Sequence, residues 1–75
     1  MSQRLPRVTA AQVIRVLEHL GFALARSSGG HLIYKNDEGR RVTVPYHAGK
    51  ILHPKLLKSI LVDAGLTEDE FAELL

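Results

Sequence analysis

Apolar residues in the first third of the chain recur at the spacing of an amphipathic helix. Thr9 and Gln12 have the spacing of a capping box, in which each side chain binds a backbone N–H at the helix start. Gly21 is suited to end this helix, because glycine accepts the left-handed C-cap conformation. Residues 1–8 show no periodicity, so we expect a frayed start. The apolar face of the helix would consist of Val13, Ile14, Val16, Leu17 and Leu20.

The middle of the chain changes to the two-residue period of β-strands. Residues 27–30 and 36–39 have the composition of tight turns, so the strands would form an antiparallel meander. We predict three strands, at 22–26, 31–35 and 40–44, with Pro45 ending the third.

Alternation along each strand predicts which side chains share a face of the sheet. Ile33 would pack beneath the helices, and His31, two residues earlier, would lie at the rim of that covered face. The other apolar pairs that would share a face are Phe22 with Leu24 and Val42 with Val44.

The last third again has helical periodicity. Pro54 suits a first helical turn, Gly65 suits a C-cap, and Thr67 with Glu70 forms a second capping box before a short terminal helix. The buried stripe of the longer helix would be Leu56, Leu57, Ile60, Leu61 and Ala64. The order α-β-β-β-α predicts a two-layer α+β fold with two helices over a three-stranded antiparallel sheet. We expect a single domain over residues 1–75, with a core of about 8–66 and an acidic helix at 67–75.

Composition narrows the class of protein. The 75 residues include no cysteine, which excludes disulfides and thiolate metal sites, and the 45% hydrophobic content is typical of a globular chain. No apolar run is long enough to span a bilayer, and no secretory leader is apparent, so we expect a cytoplasmic protein without a membrane partner.

The charge is unevenly distributed. All ten basic residues lie at or before Lys58 against three acidic ones, a balance of +7, whereas the segment from Asp63 onward carries five acidic residues. A basic body favours a polyanionic partner, although solvated charges that keep a small protein soluble explain the pattern equally well.

Candidate chemistry centres on His31, which follows the polar turn at 27–30. An imidazole exchanges protons near neutral pH, as RNA cleavage by 2′-hydroxyl attack requires. His47 could assist, and basic side chains could hold phosphates: Arg26, Lys35, Arg40, Arg41 and Lys50. From spacing alone, a histidine that merely starts a strand is the simpler interpretation. His47 and His53 make a weak chelating pair, and no metal or phosphate-loop motif is present.

Two segments resemble the HicA toxin family. Residues 29–35 (GGHLIYK) are similar to its Gly-Ser-His-x-x-Tyr segment, and residues 37–47 (DEGRRVTVPYH) are similar to its Arg-Val-Thr-Val-Pro-x-His strand end. Ala64 and Gly65 match the end of its closing helix, so the resemblance covers roughly residues 8–71. One departure is Gly30, where the family often has serine.

The resemblance implies a fold similar to the double-stranded-RNA-binding domain and the toxin role in a type II toxin–antitoxin module. It implies mRNA cleavage without a metal ion or other cofactor, with His31 matching the catalytic histidine. It also implies a HicB antitoxin as partner. Two other functions stay open: a non-catalytic RNA-binding module and a protein-interaction domain. Tyr34 and Tyr46 are the only tyrosines that could stack on bases, which weakens a sequence-specific single-strand binder more than a nuclease.

Overall fold

The computed structural model describes residues 5–75. Three helices and one three-stranded antiparallel sheet follow in the order predicted, with the two-layer α+β arrangement of a fold similar to the double-stranded-RNA-binding domain. The elements are α1 (Ala10–His19), β1 (Ala23–Ser28), β2 (His31–Lys35), β3 (Arg41–Pro45), α2 (Pro54–Ala64) and α3 (Glu68–Leu74).

The helix ends confirm the capping predictions. Thr9 with Gln12 and Thr67 with Glu70 both form complete capping boxes. Gly21 follows α1 at a φ of +96°, and the Phe22 N–H bonds the Leu17 carbonyl at 2.9 Å, which makes a Schellman ending. Helix α2 ends in the same way at Gly65. These local sequence signals set the first and last residues of the helices.

Strand β2 lies at the centre of the sheet, between β1 and β3. Gly29 and Gly30 both have positive φ, of +53° and +83°, as a two-residue hairpin turn requires. At the other turn, the Asn36 side chain accepts bonds from the N–H groups of Glu38 and Arg40. Strand β3 runs one residue later than predicted at both ends, and Pro45 is its last residue.

The register between β2 and β3 corrects the predicted position of His31. Tyr34 pairs with Val42 and Leu32 with Val44, and both valines are fully buried beneath the helices. Residues directly opposite in a ladder share a face, so Leu32 and Tyr34 are the core side chains of β2. His31 and Ile33 therefore lie on the opposite, open face, and not at the rim of the covered face.

A β-bulge in β1 corrects a second alternation. Leu24 pairs with Tyr34 and Arg26 pairs with Ile33, so Ala25 is the extra residue. The bulge transfers Arg26 to the open face, whereas strict alternation would keep it with Leu24. Leu24 is 52% exposed because β1 is an edge strand whose outer side the helices do not cover.

The buried core begins at Val8, the first residue of the predicted range, and reaches beyond the predicted end at residue 66. Of the predicted frayed start, residues 1–4 lie outside the described residues, but Val8 is buried and its carbonyl accepts from the Leu52 N–H at 2.8 Å. At the other end, Phe71 of α3 is fully buried. The acidic terminal helix is therefore packed on the core.

None of the helices in residues 5–75 is long and apolar enough to cross a membrane.

Candidate active site on the open face of the sheet

The open face of the sheet consists of three rows of three paired residues, one from each strand. The rows are Ser28–His31–Pro45, then Arg26–Ile33–Thr43, then Ala23–Lys35–Arg41. None of these nine residues is acidic, and three are Lys or Arg. The face is therefore a basic surface with a histidine at one end.

His31 is the first residue of β2, so ladder partners hold its backbone from both sides. It pairs with Ser28 on β1 and with Pro45 on β3, and its side chain is exposed. The glycine turn before it carries no side chains that could cover the imidazole. An exposed imidazole on a fixed central strand is suited to proton transfer with a bound ligand.

The cations of the open face occupy the two rows beyond His31. Arg26 lies one row away, two residues along the strand, and Lys35 and Arg41 lie two rows away. At about 3.3 Å per residue, the last row is ~13 Å from His31. All three side chains are exposed, so Arg26 can bind an anion near the histidine, and Lys35 and Arg41 can bind anions further along the same face.

The Arg40 side chain, predicted from the sequence to be among the phosphate-binding residues, is instead engaged in a contact within the fold. Its Nη1 donates to the Asp63 carbonyl at 3.2 Å, at the C-terminal end of α2. A Cβ atom added to Gly65 would lie 2.7 Å from the Arg40 Cζ. The guanidinium thus binds a helix-end carbonyl and packs over the glycine that ends the helix, away from the open face.

The loop after β3 begins beside the histidine. The Tyr46 N–H bonds the Gly30 carbonyl at 2.7 Å, which joins this loop to the hairpin turn before His31. His47 and Lys50 follow in a turn closed by the Lys50 N–H and the His47 carbonyl, and both side chains are exposed. The backbone thus brings the His47 loop to the His31 end of the sheet.

Tyr34 and His53, candidates for stacking and for chelation, do not serve those purposes on the open face. Tyr34 is buried on the helix-covered face, where burial, and then the nearby Glu18 carboxylate, raise the pKa of its phenol. It cannot stack on a base at the open face. His53 is the N-cap of α2, with its Nδ1 accepting from the Lys55 N–H at 3.1 Å. Within residues 5–75, no three side chains of His, Cys, Asp or Glu are grouped to hold a metal ion.

Comparison with protein families identifies the chain. The family described as the HicA toxin of bacterial toxin–antitoxin systems matches residues 10–66, from the first residue of α1 to just beyond the end of α2. The chain belongs to the HicA toxin family. Membership supports a toxin role and implies an antitoxin partner. The matched range includes the open face with His31 and the loop with His47. A search of curated proteins finds no match.

Proposed function

We propose that this HicA-family chain is an endoribonuclease that cuts mRNA and so inhibits translation. The observation that carries the proposal is the placement of His31, exposed on the same open face as Arg26, Lys35 and Arg41. RNA cleavage requires an imidazole that can accept or donate a proton and cations that bind phosphate, and this surface carries both kinds of group. An mRNA substrate also agrees with the cytoplasmic location expected from the sequence.

The proposed reaction is attack of a ribose 2′-oxygen on the adjacent phosphorus. A base takes the 2′-hydroxyl proton, the bond from phosphorus to the 5′-oxygen breaks, and an acid protonates that oxygen. The products are a 2′,3′-cyclic phosphate and a 5′-hydroxyl. His31 supplies one of the two proton transfers, and His47 assists from the neighbouring loop.

Cations would stabilise the charge that develops on the phosphoryl oxygens during attack. Arg26 is the cation of the open face in the row next to His31, and Lys50 follows His47 on the loop. Because Arg40 is engaged at the end of α2, we leave it out of the RNA-binding set. A HicB antitoxin would neutralise the toxin by covering the His31 region.

The end groups of the cleaved RNA test this proposal. The purified protein should cut a single-stranded RNA in excess EDTA and leave 2′,3′-cyclic phosphate ends. An RNA with 2′-deoxyribose at the cleaved nucleotide should resist, because the attacking oxygen is absent. Binding without cleavage would favour the non-catalytic RNA-binding module, and 3′-hydroxyl ends would exclude the 2′-oxygen as nucleophile.

A further inference from the structure

We propose that single-stranded RNA lies along β2 on the open face, on one side of His31, and is held there through its phosphates by Arg26, Lys35 and Arg41. The inference rests on the proposed function, which takes RNA as the ligand. It adds that the RNA is single-stranded, that it binds to the open face, and that the contacts are to its phosphates. It depends on the bulge at Ala25, without which Arg26 would leave this face.

The size of the cationic patch fits a short single strand. The two rows that hold Arg26, Lys35 and Arg41 lie ~7 Å apart along β2, and the last of them lies ~13 Å from His31. The three strands span about 10 Å, at a spacing of ~4.8 Å. Three cations can neutralise about three phosphates. A domain that binds double-stranded RNA instead contacts about 16 base pairs, which is several times the length of this patch.

The chemistry of the nine open-face residues favours phosphate contacts over base contacts. Apart from the His31 imidazole, no aromatic ring lies on this face on which a base could stack, and no Asn or Gln is present to read a base edge. Ile33, at the centre, is only 9% exposed. Contacts from Lys and Arg to phosphates position a strand without reading its sequence.

The position of His31 makes the binding asymmetric. The rows that contain Arg26, Lys35 and Arg41 lie on one side of the histidine, and on the other side the sheet ends in the glycine turn. The three open-face phosphate contacts therefore lie at the scissile phosphate or on one side of it, with Arg26 the nearest to it. RNA extended on that side should bind more tightly than RNA extended on the other.

The salt dependence of binding tests this assignment. Fluorescence anisotropy is measured with an eight-nucleotide RNA and the His31→Ala protein, which the proposed function expects not to cleave, so that the probe stays intact. Three single-strand phosphate contacts predict a slope of log K against log salt of about −2, at ~0.7 for each phosphate. Adding Arg26→Ala, Lys35→Ala or Arg41→Ala should each reduce the slope by ~0.7, which is about fivefold in affinity at 0.1 M salt.

Lys55→Ala is the matched control, because Lys55 is an exposed lysine on α2, in the helix layer. Lys58 is less suitable, since its Nζ lies 3.9 Å from a Glu68 oxygen. The control should leave the slope unchanged. Equal losses for Lys55→Ala and the open-face variants would overturn the inference, as would tighter binding of a 16-base-pair duplex than of the single strand.

The binding and cleavage measurements can reject the inference and the proposed function independently. If the wild-type protein cleaves RNA with 2′,3′-cyclic phosphate ends but the open-face variants keep the full salt slope, the inference is wrong and the proposed function stands. If the slopes fall as expected but the wild-type protein never cleaves, the RNA surface is supported and the nuclease proposal is rejected.

Discussion

Phe71 lies beyond the segment that matches the HicA family, yet its side chain is fully buried. The terminal helix should therefore be part of the folded unit. Replacing Phe71 with alanine removes a whole buried ring and leaves a cavity, which costs about 3–5 kcal/mol of unfolding free energy. A domain of this length has a total stability of about 4–11 kcal/mol, so the substitution should remove a large part of it.

Urea unfolding followed by circular dichroism measures this loss. Leu75→Ala is the control, because Leu75 is 50% exposed at the end of the same segment and should change stability by less than about 0.5 kcal/mol. A loss below about 1 kcal/mol for Phe71→Ala would refute the packing of α3 on the core. A cooperative transition with a lower midpoint would support it.

Three further predictions concern local structure, each measured by urea unfolding. Gly65→Ala should lower the unfolding free energy by about 1–2 kcal/mol because its backbone is left-handed, and by a further amount because the new methyl displaces the Arg40 side chain from its hydrogen bond. This further loss should be absent when Gly65→Ala is made in the Arg40→Ala protein. If the effects of the two substitutions simply add, the contact between Gly65 and Arg40 is contradicted. Hydrogen bonds from the Thr67 N–H and hydroxyl hold the pKa of the Glu70 carboxyl below its ordinary value. The stability that these bonds contribute is therefore present above the unfolded-state pKa and is lost as the pH falls through the folded-state pKa. Glu70→Gln should remove that part of the acid sensitivity of unfolding, and an unchanged pH profile of stability would argue against this role. Gly30→Ser should destabilise by about 1 kcal/mol, because the φ of +83° favours glycine although no atom lies near enough to clash; equal or greater stability would contradict the turn geometry.

Much of the fold was predictable because its signals are local. The capping boxes, the glycines that end α1 and α2, and the Asn36 turn each depend on a few adjacent residues. Leu57 was also recognisable from the apolar stripe of its helix. The start of the core was harder to predict. Val8 lies in an irregular segment, and the Leu52 N–H that bonds its carbonyl is far away in the sequence, so no local pattern indicates that Val8 is buried.

The face of each strand was harder to predict than the strand itself. Strict alternation could not reveal the bulge at Ala25, and that one inserted residue decides that Arg26 joins His31 on the open face. Ile33 is buried, as its apolar side chain predicts, but the pairing of Tyr34 with Val42 puts the main core cluster on the other face of the sheet. Such errors follow from long-range pairing, since shifting a strand by one residue exchanges its faces.

The central claim is that the His31 imidazole transfers protons in RNA cleavage. Initial rates on a single-stranded RNA should be compared for the wild type, His31→Ala and His19→Ala, the last being an exposed histidine on α1. Loss of a general acid or base predicts a rate about 10²–10⁴-fold lower for His31→Ala, with unchanged unfolding free energy and a wild-type rate for His19→Ala. A His31→Ala protein that cleaves at the wild-type rate would contradict the account.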